Sequence, residues 1–71
     1  MDIEVGWVDN AERVLLGLTR EELYLIAGSV NEAIEAVEDW EFSTRLGVEK
    51  KAARKLRADL RAAIQELPPP G

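Results

Sequence analysis

Apolar residues recur at helical spacing through the centre of the chain, between positions 19 and 40. Their positions follow the steps i, i+3, i+4, i+7, i+11 and i+14, which are typical of one buried face of a helix. They are Leu23, Ile26, Ala27, Val30, Ile34 and Val37. Thr19 and Glu22 form the capping-box pair that starts many helices. The pattern therefore predicts a helix over residues 19–40.

A glycine interrupts this helix at Gly28, just beside the apolar stripe. Glycine in a helix interior costs about 1 kcal/mol relative to alanine, so its presence needs a reason. We expect another element of the chain to approach the helix backbone closely at this position.

A second amphipathic pattern covers residues 49–67. Its apolar positions are Ala52, Ala53, Leu56, Leu60, Ala63, Ile64 and Leu67. Basic residues fill the other side, which predicts a helix with a solvated, positively charged outer face. The run Pro68–Gly71 ends this helix, because proline lacks an amide donor and disfavours helix in the residue before it. We expect a single domain over residues 1–67 and a flexible proline-rich tail over residues 68–71.

The segment 39–48 connects the two predicted helices. Gly47 is a natural residue to follow a helix C-terminus, so we expect a short helical turn ending near Leu46. The apolar side chains of this segment are expected to close the end of the core. They are Trp40, Phe42, Leu46 and Val48.

The first eighteen residues are open to two interpretations. Alternating apolar residues before and after a polar segment at 9–11 predict a β-hairpin. Its apolar face would hold Ile3, Val5, Trp7, Val14, Leu16 and Leu18. Alternatively, Asp9 and Glu12 fit a capping box, and a short helix would begin at Asp9. The β-branched residues of the first run favour the hairpin.

We therefore predict an α+β fold, in which an N-terminal β-hairpin packs on an antiparallel pair of helices. The alternative is an all-α bundle of three helices. An isolated hairpin is only marginally stable in water, so it should lie against the helices. A chain of 71 residues without cysteine has a modest core, and a partner subunit would be a further source of stability.

Charge is distributed unevenly along the chain, whose net charge is −5. Residues 1–42 hold eleven acids and two bases, whereas residues 43–71 hold seven bases and three acids. The N-terminus has the features of neither a signal peptide nor a membrane span, so we expect a cytoplasmic protein.

The sequence offers few residues for catalysis. It has no His and no Cys, its serines lack a neighbouring base, and its glycines are isolated. Neither a nucleophilic triad nor a phosphate loop is indicated. Glu32, Glu35 and Asp39 on one straight helix would converge poorly on a metal ion. We predict that the protein is not an enzyme and has no metal or cofactor.

Six residues around the end of the first predicted helix are the main candidates for partner binding. They are Glu32, Glu35, Glu38, Asp39, Trp40 and Glu41. Each carboxylate at a helix C-terminus is unfavourable by about 0.3–1 kcal/mol, so helix formation does not explain them. Either the basic last helix folds back and neutralises them, or they bind a partner protein with a basic surface. The leading functional hypothesis is the second, an interaction module of the immunity or inhibitor type.

Two other functions stay open. The region around Gly47 is similar to a helix-turn-helix, in which Lys50, Lys51, Arg54 and Arg57 would contact nucleic acid. The acidic net charge of the chain disfavours this alternative, because it repels phosphate. The other alternative is a homodimeric structural protein whose apolar surface is shared between two copies.

Three motifs occur together in the chain: LTREEL (18–23), NEAI (31–34) and EFSTRLGV (41–48). In this combination the chain resembles small bacterial proteins of uncharacterised function, which have an LTxxEL helix start, an N-E motif and an EFxTRxG connector. The resemblance covers about residues 14–60. It implies the two-helix arrangement and carries no activity.

Overall fold

The computed structural model describes residues 1–69. Its elements in chain order are β1 (Asp2–Val8), β2 (Ala11–Gly17), α1 (Arg20–Ala36), α2 (Asp39–Leu46) and α3 (Lys50–Gln65). The α+β class with an N-terminal hairpin is confirmed, and the all-α bundle is wrong because residues 2–17 form strands. The last two residues of the predicted flexible tail lie outside the described residues.

The hairpin forms because its turn residues accept left-handed backbone angles. Asp9 and Asn10 have φ angles of 51° and 64°, and they connect β1 to β2 as a two-residue loop. A type I′ hairpin turn requires positive φ at both positions, and Asp and Asn tolerate it. The same angles exclude a helix beginning at Asp9.

The hairpin register brings five of the six predicted apolar residues onto one face, and Leu18 lies beyond the end of β2. The strands are antiparallel, with Ile3 opposite Leu16 and Val5 opposite Val14. Trp7 lies on the same face, opposite Glu12. Side chains alternate between the faces of a sheet, so this face is apolar along most of its length.

Helix α1 begins as predicted and ends earlier than predicted. The Glu22 amide donates to the Thr19 hydroxyl at 3.1 Å, and the Thr19 amide donates to the Glu22 carboxylate at 2.9 Å. The helix stops at Ala36 instead of Trp40, because Val37 adopts an extended backbone with ψ of 127°. The break moves Asp39 into the first turn of α2. Carboxylates are favourable at that end of a helix dipole.

Helices α1 and α3 lie antiparallel, as predicted. Near the start of α1, Arg20 donates to the carbonyl of Pro68, which follows α3. At the other end of the pair, the Lys50 ammonium donates to the Val37 carbonyl. Between them, the Arg57 guanidinium donates to the Asn31 side-chain oxygen at 3.0 Å.

The core lies where the three helices meet. Ile34 of α1, Phe42 of α2 and Ala53 of α3 are buried, and Val30, Ala33 and Val37 pack against them. The predicted end of α2 is confirmed, since Gly47 has a φ of 78° and its amide donates to the Ser43 carbonyl at 2.9 Å.

The expected core role of the connector is confirmed for one aromatic residue and wrong for the other. Phe42 is 2% exposed, whereas Trp40 is 77% exposed. Residues two positions apart point about 200° away from each other around a helix axis. Helix α2 can therefore bury only one of the two aromatic side chains against α1 and α3. Leu46 and Val48 are also about half exposed.

The position of the hairpin differs from the packing expected above. Among residues 1–69, no Cα atom of either strand lies within 8 Å of a Cα atom in any of the three helices. A salt bridge of 2.9 Å between the Met1 amino group and the Glu22 carboxylate connects the N-terminus to α1. Two residues, Leu18 and Thr19, connect β2 to α1. Thr19 has an extended backbone and forms the N-cap of α1, so Leu18 is the one residue between the strand and the cap. The hairpin therefore lies apart from the helices and is joined to α1 by this short link and by the salt bridge.

Candidate functional site

The predicted acidic cluster divides into carboxylates that serve the fold and carboxylates that do not. One oxygen of Asp39 lies 2.8 Å from the Lys50 ammonium, and the other lies 3.9 Å from the Arg54 guanidinium. The hydrogen bond from Lys50, followed by the charge of Lys50, lowers the pKa of Asp39 below its ordinary value. Glu41 pairs with Arg45 at 3.4 Å within α2. These two carboxylates are therefore compensated inside the chain.

The negative charges of three other carboxylates in the cluster are not neutralised by a salt bridge within residues 1–69. Glu32, Glu35 and Glu38 are exposed, and none of them forms a salt bridge within residues 1–69. The last turn of α1 contains no basic residue. Glu38 occupies the cap position of α2, but its side chain makes no capping hydrogen bond. Fold stability therefore does not account for Glu32 and Glu35, which lie toward the negative end of the α1 dipole.

An exposed tryptophan lies next to these carboxylates in the chain. Trp40 stands in the first turn of α2, two residues after Glu38, and its indole is 77% exposed. Tryptophan is highly buried on average in folded proteins, and at interfaces it is enriched among the residues that supply most of the binding energy. We call Glu32, Glu35, Glu38 and Trp40 the acidic surface.

The outer side of α1 extends the acidic surface with apolar residues that the sequence pattern did not single out. A shallow depression there is lined by Tyr24, Leu25, Gly28, Ser29 and Glu32. Leu25 is largely exposed. Its position off the apolar stripe was the available signal, since a leucine on a polar helix face has no role in the core. The expected close approach at Gly28 is wrong, because a side chain there would meet no atom within 4 Å.

The basic residues proposed to contact nucleic acid are largely engaged within the fold. Lys50 is nearly buried, pairs with Asp39 and places its ammonium 5.5 Å from the centre of the Phe42 ring. Arg57 donates to Asn31, and Arg54 faces Asp39. Of the four predicted contacts, Lys51 alone has no hydrogen bond or salt bridge to the part of the chain that the structure describes. Two of the four predicted contacts, Lys50 and Arg57, are therefore occupied within the fold, whereas Lys51 and Arg54 are exposed.

A groove of about 370 Å³ opens beside the core, between the three helices. We call it the helical groove. Its walls are almost entirely apolar, and they are formed by Ser29, Val30, Ala33, Phe42, Leu46, Val48, Ala52, Ala53 and Leu56. The sequence pattern assigned most of these residues to the core, whereas Leu46, Val48 and Leu56 are about half exposed at the rim. The hairpin, which was predicted to pack on the helices, does not cover this groove.

The hairpin presents a second open apolar surface. Its members are Ile3, Val5, Trp7, Val14 and Leu16, which we call the hairpin face. All five side chains are about half exposed or more, and Trp7 is 74% exposed. Among the described residues, nothing covers either the hairpin face or the helical groove.

The remaining features of the chain give no further site. Within residues 1–69, no cluster of three or more His, Cys, Asp or Glu side chains has an arrangement suited to a metal ion. No helix in the same range has the length and apolar character needed to cross a bilayer. Comparisons with protein-family models, curated proteins and solved structures give no match.

Proposed function

We propose that this protein is a non-enzymatic interaction module whose acidic surface binds a partner protein with a basic surface, in the manner of an immunity or inhibitor protein. The observation that carries the proposal is that Trp40 is 77% exposed and follows, in the chain, carboxylates that form no salt bridge within residues 1–69. Asp39 and Glu41 belong to the fold and are left out of the binding set.

The chemistry of the acidic surface fits the two requirements of a protein interface. Uncompensated Glu32, Glu35 and Glu38 would attract a basic partner from a distance and orient its approach. Trp40 would supply the apolar area that is buried on contact, since a charged rim alone contributes little affinity. Leu25 and Tyr24 on the outer side of α1 would add to that area.

The proposal is tested by charge reversal with a matched control. In the binding variant, Glu32, Glu35 and Glu38 are replaced by Lys. In the control, Glu21, Glu49 and Glu66 are replaced by Lys, which makes the same change in net charge at exposed positions outside the acidic surface. Each variant and the native chain are immobilised, and proteins captured from native lysate are compared at low and high salt.

We expect the native chain and the control to capture the same partner, and the binding variant to lose it. Trp40→Ala should also lose it, by at least about 30-fold in affinity if the indole is an anchor of the interface. High salt should weaken capture by the native chain, because the carboxylates are exposed and screened. Equal capture by the native chain and the binding variant would contradict the proposal.

A further inference from the structure

The protein exposes more surface than a folded monomer of its size. Its accessible surface is 5838 Å², whereas a compact monomer of 7.9 kDa exposes about 4,400 Å². Its radius of gyration is 13.9 Å, against about 11 Å for a compact chain of this length. The excess surface is about 1,400 Å² per chain. Each subunit of an obligate dimer buries about 1,000 Å² or more, so the excess is what a stable dimer needs.

The two open apolar surfaces are complementary in character. No charged residue lines the helical groove, and Ile3, Val5, Trp7, Val14 and Leu16 make the hairpin face apolar along most of its length. Residues 2–17, which form the hairpin, carry four carboxylates and one arginine, a net charge of −3. Contact between the hairpin face and the helical groove would bury apolar side chains on both sides.

We infer that two copies of this chain form a dimer in which the hairpin face of each copy packs into the helical groove of the other. This contact would cover the apolar face that the alternating pattern predicted to lie against the helices of the same chain. Within one copy the hairpin lies apart from the helices, and a second copy would supply the missing cover. The arrangement is self-complementary, as a two-fold dimer requires.

A dimer joined by hairpin on hairpin fits the structure less well. It would bring together two segments that each carry a net charge of −3, and it would leave both helical grooves open. The reciprocal arrangement covers both apolar surfaces in both copies. It also covers one face of the two-stranded sheet, which on its own is only marginally stable in water.

The first experiment uses the two tryptophans as matched probes. Trp7 and Trp40 are 74% and 77% exposed, and only Trp7 belongs to the hairpin face. Sedimentation equilibrium of the full chain should show a dimer that dissociates on dilution. Trp7→Ser should raise the dissociation constant at least about 30-fold, whereas Trp40→Ser should change it by no more than about threefold. A native chain that stays monomeric up to millimolar concentration would overturn the inference.

The second experiment identifies the surface that the hairpin contacts. Leu56→Glu places a carboxylate in the helical groove, and Leu25→Glu makes the same change on the exposed outer side of α1. We expect Leu56→Glu to weaken the dimer and Leu25→Glu to leave it intact, with circular dichroism confirming that all variants keep their helices. If Leu56→Glu dimerised as well as the native chain, the groove would be excluded as the contact surface.

Mixing two weakened variants tests the reciprocity. The Trp7→Ser chain keeps an intact groove, and the Leu56→Glu chain keeps an intact hairpin face. In the heterodimer one contact is native and the other carries both changes. If Trp7 and Leu56 meet in the same contact, the second change costs little once the first is made, so the heterodimer should be tighter than the geometric mean of the two variant homodimers by more than the statistical factor of two. A heterodimer no tighter than this would overturn the reciprocal arrangement. The inference is independent of the proposed basic partner, because Trp40→Ser should abolish partner capture while the dimer persists.

Discussion

The three helices and the hairpin contain similar shares of apolar residues and use them in opposite ways. The helices bury Ile34, Phe42 and Ala53 against one another. The hairpin leaves Trp7 and the rest of its apolar face exposed, although its strands are regular and its turn angles are favourable. A well-formed element thus does not guarantee a buried face. The helices cover one another in part and leave the helical groove open, whereas none of the described residues covers the hairpin face.

The two aromatic residues of α2 give the strongest test of this comparison. Phe42→Ala should lower the free energy of unfolding by about 3–5 kcal/mol, because it removes the centre of the core and leaves a cavity. A chain of this size has about 4–11 kcal/mol in total, so the variant should be close to unfolded at room temperature. Trp40→Ala should change the free energy by less than about 0.5 kcal/mol. Urea denaturation followed by circular dichroism measures both, and equal losses would contradict the assignment of the core.

Replacing two helix glycines by alanine should change the stability of the chain in opposite directions. A side chain at Gly28 would meet no neighbouring atom, so Gly28→Ala should stabilise α1 by up to about 1 kcal/mol. Gly47 has a φ of 78°, so Gly47→Ala should destabilise the chain by about 1 kcal/mol instead. Thermal melts of both variants give the sign of each change. A destabilising Gly28→Ala would mean that another surface covers α1 at this position.

The free energy of unfolding should fall at acid pH in part because the capping box of α1 needs an ionised Glu22. The Thr19 amide, followed by the hydrogen bond from the N-terminal amino group, lowers the pKa of Glu22 from 4.5 to about 2. A carboxylate with a lowered pKa in the folded state stabilises the fold above its unfolded pKa, and this contribution is lost as the pH falls from 4.5 toward 2. The pairing of Asp39 with Lys50 acts in the same direction.

Glu22→Gln tests this assignment, because glutamine keeps an acceptor for the Thr19 amide and cannot ionise. The variant should take up fewer protons on unfolding in this acid range, by up to about one per chain. Glu21→Gln removes the same charge outside the capping box and serves as the matched control. The measurement is the unfolding free energy at a series of acid pH values. An unchanged acid slope in Glu22→Gln would contradict the cap.

Local features of the fold could be predicted from the sequence because their causes are local. The capping box at Thr19, the αL residue at Gly47 and the alternation in the hairpin depend on residues close in the chain. The break after Ala36 was missed because the acidic cluster was assigned to the end of one helix. Asp39 and Glu41 are instead well placed at the start of the next helix, where the helix dipole favours them.

Burial could be predicted less well, because it depends on how elements meet. Of the apolar stripe predicted for the first helix, Ile34 is buried and the other five residues are half-buried. The sequence pattern did not predict that Phe42 would be buried and Trp40 exposed, because both are aromatic. Which of the two faces the core depends on the residue at which α2 begins. Among the candidate site residues, Asp39 and Lys50 were assigned to two different binding surfaces, whereas they pair with each other. Glu32, Glu35 and Glu38 form no salt bridge within residues 1–69, and together with Trp40 they are the residues of the proposed binding surface.

The central claim is that the helices are stable in themselves and that the hairpin depends on a second copy. Amide hydrogen exchange of the full chain, measured at a series of protein concentrations, tests it most directly, because protection reports the stability of each region separately. We predict that the amides of β1 and β2 become more protected as the concentration rises, while those in the middle of α1 and α3 change much less. Hairpin protection that is the same at every concentration would contradict the claim.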